Sequence, residues 1–322
     1  MPNLFVLESE GVNNGDTSIE KVPPPEHADY GVSDGEWLSI DWRQHLYDVT
    51  IDCALGESKV SYVEMGEGPP VLFVHGLGGS WRNWLENIPA LSRNHRVVAL
   101  DLPGFGASPM PPEPLTISAF GDLIIAFADQ LGLGAETAPV GHSMGGFIST
   151  EAVIEAPERF SSLTLVAAAG ISFASIGQPR KEVTKAAMLL TLPIAVNRLG
   201  RSLGRKRLRA ASFSGVIAHP SMVSREILWE LGTYGVNSPG LLQAAYALAG
   251  YDTRDRLAEI KLPTLVIWGE RDLLVPVGAA YAYNERIANS ELHLIHDTGH
   301  MVQLERSGRF NQVLGEFISR KN

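Results

Sequence analysis

The chain has 322 residues, 45% of them hydrophobic and 19% charged, with a formal net charge of −10 at pH 7 and one cysteine. That composition supports one large α/β domain or two smaller ones and excludes collagen-like, low-complexity and fully disordered chains. A lone Cys53 builds neither an internal disulfide nor a cysteine zinc cage, and 36 acids against 26 bases argue against a nucleic-acid partner.

In chain order, residues 1–40 hold eight acids against Lys21 alone and read as an acidic, flexible extension. Glu8 and Glu10 stand where an export signal is apolar, so a cytoplasmic location is expected. Opening strands are predicted over 47–53 and 59–64, joined at Gly56. Continuous apolar runs at 71–75, 96–101, 163–166 and 264–268 predict strands buried on both faces, and 291–295 adds another. Helices are predicted over 81–91, 117–131, 144–156, 278–287 and 303–318, and this alternation is that of a mostly parallel sheet with helices on both faces. Residues 172–250 carry ten bases against three acids and form a basic layer inside an acidic protein. Its most apolar run, 186–196, is about half a bilayer-spanning length and contains Pro193, so no transmembrane segment is expected.

The sharpest local feature is Gly141-His142-Ser143-Met144-Gly145, after one predicted strand and before a predicted helix. A serine on so tight a turn projects above the sheet, and the flanking glycines relieve collisions with the neighbouring strand and helix. Pro139 departs from the pattern, because a central strand loses an amide there. Serine needs a base, and the base needs a carboxylate to fix its tautomer. His300 lies in a turn between the strand 291–295 and the last helix, and Asp272 directly follows the strand 264–268. The order Ser143, Asp272, His300, with separations of 129 and 28 residues, brings three loops to the carboxyl edge of one sheet. The loop His75-Gly76-Leu77-Gly78-Gly79 aims the Leu77 amide at the same place, and the Met144 amide opens the elbow helix. Together they are the expected donors to an oxyanion.

These motifs resemble the α/β-hydrolase superfamily, in the serine-nucleophile branch with a helical cap, which includes esterases, lipases, carbon–carbon bond hydrolases and cofactor-free haloperoxidases. The resemblance covers roughly residues 45–320. It rests on His75-Gly76, Asp101-Leu102-Pro103-Gly104-Phe105-Gly106, Gly141 to Gly145, Gly269 to Asp272 and Gly299-His300, all in family order. It implies a mostly parallel eight-stranded sheet flanked by helices, a core of residues 41–171 and 252–322, and a cap at 172–251. It also implies Ser143 as nucleophile, His300 as general base and acid, Asp272 as orienting carboxylate, Leu77 and Met144 as oxyanion donors, and neither cofactor nor metal.

Other residues have plainer readings. His75 and His142 are expected to shape their loops, and His219, His293 and His296 to lie at the surface or in packing. Glu270 rivals Asp272, but the turn position favours Asp272. Asp101 is expected to cap backbone amides. Trp81 and Met301 are candidates for the substrate pocket, whereas Trp84 is expected to pack on the sheet. Leu189, Leu190, Leu192, Ile194 and Val196 read as cap core. The basic run 198–209 suits an anionic substrate, weak contact with lipid head groups or an acidic partner; a solvated face, or pairing with the acidic N-terminal stretch, is the preferred reading.

The activity expected is that of a carboxylesterase or lipase-like enzyme acting on small-molecule esters with an apolar acyl part. The first alternative is cleavage of a carbon–carbon bond in dienoate diketones, of lactones, or perhydrolysis; residues 75–79 lack the proline associated with the carbon–carbon branch. The second is a triad-bearing receptor that binds a small ligand and signals through its cap. Ser143 at the elbow argues against epoxide or halide chemistry, which takes an aspartate there.

Overall fold

Alternate residues of the central strand point to opposite sides: Val71 and Phe73 join one apolar cluster, Leu72 and Val74 the other, and all four are buried. The computed structural model of the protein describes residues 20–21, 29–169, 212–235 and 238–320. Within it, β1 (Glu20–Lys21), β2 (Leu46–Cys53), β3 (Gly56–Met65), β4 (Pro70–Val74), β5 (Arg96–Leu100), β6 (Ala138–His142), β7 (Leu163–Val166), β8 (Thr264–Gly269) and β9 (Ser290–Ile295) form one sheet, ordered β1-β9-β8-β7-β6-β4-β5-β3-β2. Pairing is parallel except where β3 meets β2 and β5. The chain runs from β4 to β5 on one side and returns to β6 on the other, the kind of switch point beside which open α/β sheets bind ligands.

The described helices are α1 (Ile88–Leu91), α2 (Ile117–Gln130), α3 (Met144–Glu155), α4 (Arg225–Gly235), α5 (Leu241–Gly250), α6 (Gly278–Arg286), α7 (Val302–Glu305) and α8 (Ser307–Ser319). Apolar side chains of α2, α3 and α6 cover one sheet face, and those of α1, α7 and α8 cover the other. Thr116 starts α2 by accepting the Ala119 amide at 3.1 Å. Residues 144–153 of α3 are buried all round, which is why that helix shows no polar stripe in the sequence.

Several expectations need correction. Eight strands carry the sheet as expected, and β1 adds a two-residue ninth at its edge, inside the stretch read as a flexible extension. From Asp29 onward that stretch packs on the core. Tyr30 and Trp37 are buried, and the Trp37 indole donates to Glu86 at 2.8 Å, so aromatic burial outweighs the acidic charge. The predicted helix 81–91 is a 3-10 turn, Trp81–Trp84, capped by Ser80 and Asn83, followed by α1. The predicted helix 303–318 breaks at Arg306, φ −138°, whose buried side chain donates to Thr298 Oγ1 at 3.1 Å and pairs with Asp29. Pro139 lies within β6 opposite Leu72, and the ladder to β7 begins one residue later, at Val140.

The cap segment 172–251 is described only in part. Its basic run 198–209 and the cluster from Leu189 to Val196 lie outside the described residues. Of the described part, α4 docks through Arg82, whose Nε lies 3.0 Å from Glu230 and whose guanidinium lies 3.5 Å from the Tyr234 ring centre. Among the described residues no helix is long and apolar enough to cross a membrane.

Candidate active site

Ser143 sits between β6 and α3 at φ 53° and ψ −117°, a positive-φ conformation that strains a residue with a side chain. Backbone contacts hold it there: its amide donates to Val166 at 2.9 Å, and its carbonyl accepts the Gly146 and Ala169 amides at 3.0 and 3.1 Å. A Cβ at Gly145 would stand 2.2 Å from the Val74 carbonyl oxygen, and one at Gly141 2.3 Å from that of Gly145. Both positions exclude every residue but glycine, which is the physical content of the motif.

The loop after β4 lies against this turn, since a Cβ on Gly76 would come within 2.9 Å of Ser143 Cβ. His75 shapes the loop: its Nε2 accepts the Leu102 amide at 3.0 Å, so Nδ1 carries the proton it donates to the Gly76 carbonyl at 2.7 Å. Complete burial pulls this imidazole down to about 4, keeping it neutral. Asp101 braces the same loop by accepting the Trp81 amide at 2.7 Å and the Ala107 amide at 2.8 Å. Burial pushes its carboxyl up to about 6 against those two bonds. Leu77 is half-buried and Met144 buried. Neither amide has a hydrogen-bond acceptor among the described residues, and Met144 is the first residue of α3.

Asp272 and His300 come together as the sequence predicts. His300 Nδ1 lies 2.7 Å from Asp272 Oδ2, with the histidine side chain 3% exposed and the aspartate side chain 0%. The other carboxylate oxygen accepts the Leu274 and Val275 amides at 2.9 and 2.8 Å. The carboxylate is therefore fixed on one side by backbone and turned to the imidazole on the other. A carboxylate only accepts, so Nδ1 carries the proton and Nε2 is the basic nitrogen left for a reacting group. Glu270 pairs instead with His296 at 2.7 Å, both exposed, and is no rival.

His142 joins the serine turn to the histidine loop. Its Nε2–H donates to the His300 carbonyl at 3.1 Å, and the two rings lie 4.7 Å apart. Burial holds it neutral, with the neighbouring His300 acting in the same direction. Ser143 Oγ makes no hydrogen bond among the described residues. Its link to His300 is through this neighbour, and in unliganded sites the hydroxyl–imidazole bond often tightens only with substrate. Of the two pocket candidates, Trp81 is buried with its ring against Trp42, centres 4.9 Å apart, and Met301 is 6% exposed. Among the described residues no group of three or more His, Cys, Asp or Glu side chains is placed to hold a metal ion. Sequence reasoning missed Glu305, which reaches the His300 loop, and Tyr30, which reaches Glu305.

The fold and this arrangement define a hydrolase of the α/β class. The chain belongs to the alpha/beta hydrolase fold family, whose model matches residues 69–307. It is 32% identical, over 82% of its length, to a dihydrolipoyllysine-residue acetyltransferase component of the acetoin cleaving system from Pseudomonas putida, and spans 68% of that protein. It is 28% identical to 2-hydroxy-6-oxo-6-phenylhexa-2,4-dienoate hydrolase from Comamonas testosteroni, covering 83% of this chain and 93% of the relative. A thermophilic esterase from Thermogutta terrifontis superposes with a TM-score of 0.71 over 85% of this chain and 98% of its own, at 24% identity, and shares the fold.

Proposed function

We propose that the protein is a serine hydrolase that cleaves carboxylic esters with an apolar acyl part through an acyl-enzyme. In this reading His300 Nε2 takes the proton of Ser143 as Oγ attacks the carbonyl carbon, and the Leu77 and Met144 amides receive the oxyanion. Each such donor is worth about 3 kcal/mol in the transition state. The imidazolium then protonates the leaving alcohol, and water repeats the sequence on the acyl-enzyme. Asp272 holds the tautomer and balances the imidazolium. Trp81 and Met301 are proposed to border the acyl pocket.

The observation that carries this reading is the buried Asp272–His300 pair, locked by the Leu274 and Val275 amides beside a serine at φ 53°. A chain-length series of p-nitrophenyl esters tests it. Turnover is expected to rise with acyl length over the short members and to vanish in Ser143→Ala while the variant stays folded. Ester turnover unchanged in that variant overturns the assignment.

The 28% identity to a dienoate hydrolase favours a second reading, in which the same residues cleave a carbon–carbon bond. A ring-cleavage dienoate assayed beside the esters separates the two, because the true substrate class gives the higher kcat/KM.

A further inference from the structure

Beneath the His300 loop lies a carboxylate that the mechanism above does not use. Glu305 is buried; its Oε1 accepts the Met301 amide at 3.0 Å and its Oε2 the Gly299 amide at 2.8 Å, so it grips the residue on either side of His300. Oε2 also accepts the Ala218 amide at 2.9 Å and the Tyr30 hydroxyl. That hydroxyl in turn accepts the His219 amide at 2.9 Å. Backbone bonds run in parallel: Gly31 donates to the Glu305 carbonyl at 2.7 Å, and His300 to Val216 at 2.8 Å. Residues 29–31, 216–219 and 299–301, remote in sequence, thus converge on one side chain.

A buried carboxylate persists only when its lone pairs are filled, and two oxygens offer about four acceptor sites. Glu305 meets four donors, three on Oε2 and one on Oε1, and three of the four are backbone amides fixed by the fold. The fourth, Tyr30, is the one side chain in the set. Losing it leaves Oε2 with the Gly299 and Ala218 amides alone and cuts the side-chain tie between Glu305 and the N-terminal segment, so the carboxylate is freer to shift and to carry the turn that holds His300 with it.

We infer that Glu305 is the positioning residue of His300, and that Tyr30, outside the family match at residues 69–307, is the latch that completes it. The N-terminal segment from Asp29 is thereby part of the working site. The inference rests on His300 being the base that activates Ser143. Displacement of a base by a fraction of an ångström slows the step without weakening substrate binding, and a full ångström costs about a hundredfold. Tyr30→Phe is therefore expected to lower kcat about tenfold with KM within twofold of the parent.

The test is the rate and amplitude of fluorophosphonate labelling on the full chain, alongside kcat and KM on a p-nitrophenyl ester, for the parent, Tyr30→Phe and Glu305→Gln. No labelling of the parent defeats the serine-hydrolase reading, and the latch with it. With the parent labelled, Tyr30→Phe labelling to full amplitude about tenfold more slowly, and Glu305→Gln more slowly still, supports the latch. Labelling of Tyr30→Phe at the parental rate overturns it. So does a reduced amplitude at unchanged rate, because that reports a lost folded fraction and no change in the base.

Discussion

Asp272→Asn tests the account through one oxygen. Asp272 Oδ1 accepts two backbone amides and Oδ2 accepts the His300 Nδ1–H, so three donors point at this side chain. Asparagine has one oxygen to offer. If it stays with the Leu274 and Val275 amides, the new NH2 faces Nδ1, the proton moves to Nε2, and His300 can no longer take a proton from Ser143. If the amide turns over, its NH2 opposes two N–H groups, that of Val275 buried and that of Leu274 part-buried, at about 1–3 kcal/mol each. The productive form then lies about 2–6 kcal/mol uphill, which at 1.4 kcal/mol per tenfold is a loss of about 30-fold to 10⁴-fold, and the loss of the carboxylate charge that balances the imidazolium adds to it. The assay is ester hydrolysis normalised to folded protein, with thermal unfolding alongside. The expected result is a kcat lower by about 10² to 10⁴. A variant within threefold of the parent refutes the reasoning, because the protons around Asp272 would then not decide the state of His300.

Gly145→Ala pushes a methyl group into the Val74 and His75 carbonyl oxygens, which would lie 2.2 and 2.6 Å away; a loss of about 3 kcal/mol and a Tm lower by about 6–12 °C are expected, and an unchanged Tm speaks against the packing argument. His142 is neutral in the folded protein, whereas in the unfolded chain it takes a proton below its ordinary value of 6.5. Its stabilising share is therefore complete above pH 6.5 and lost as the pH falls below it. His142→Gln keeps an N–H near the His300 carbonyl and removes the titration, so urea unfolding at pH 7, 6 and 5 should show the parent losing about 1 kcal/mol per pH unit more than the variant between pH 6 and 5. Parallel slopes contradict the assignment.

Most of the sheet was legible because its strands are buried on both faces, and continuous apolar runs such as 163–166 leave little choice of boundary. Ser143, Asp272 and His300 were legible for a different reason: each ends or follows a strand, where one residue's identity decides a turn. The helix breaks were not. Arg306 interrupts an otherwise helical pattern because its side chain reaches Thr298 and Asp29, contacts with no local signature. Residues 29–40 look like a flexible extension by net charge, yet pack on the core because Tyr30 and Trp37 find partners, Glu305 and Glu86, that stand 275 and 49 residues away. Glu305 carries no motif, and only its four donors mark it out.

Peptide mapping by mass spectrometry after fluorophosphonate treatment tests the central claim most directly. The phosphonyl group is expected on the single peptide that carries Ser143, with no modification in Ser143→Ala and strongly slowed modification in His300→Asn. Modification at another serine, or none under conditions where the protein turns over an ester, contradicts the account.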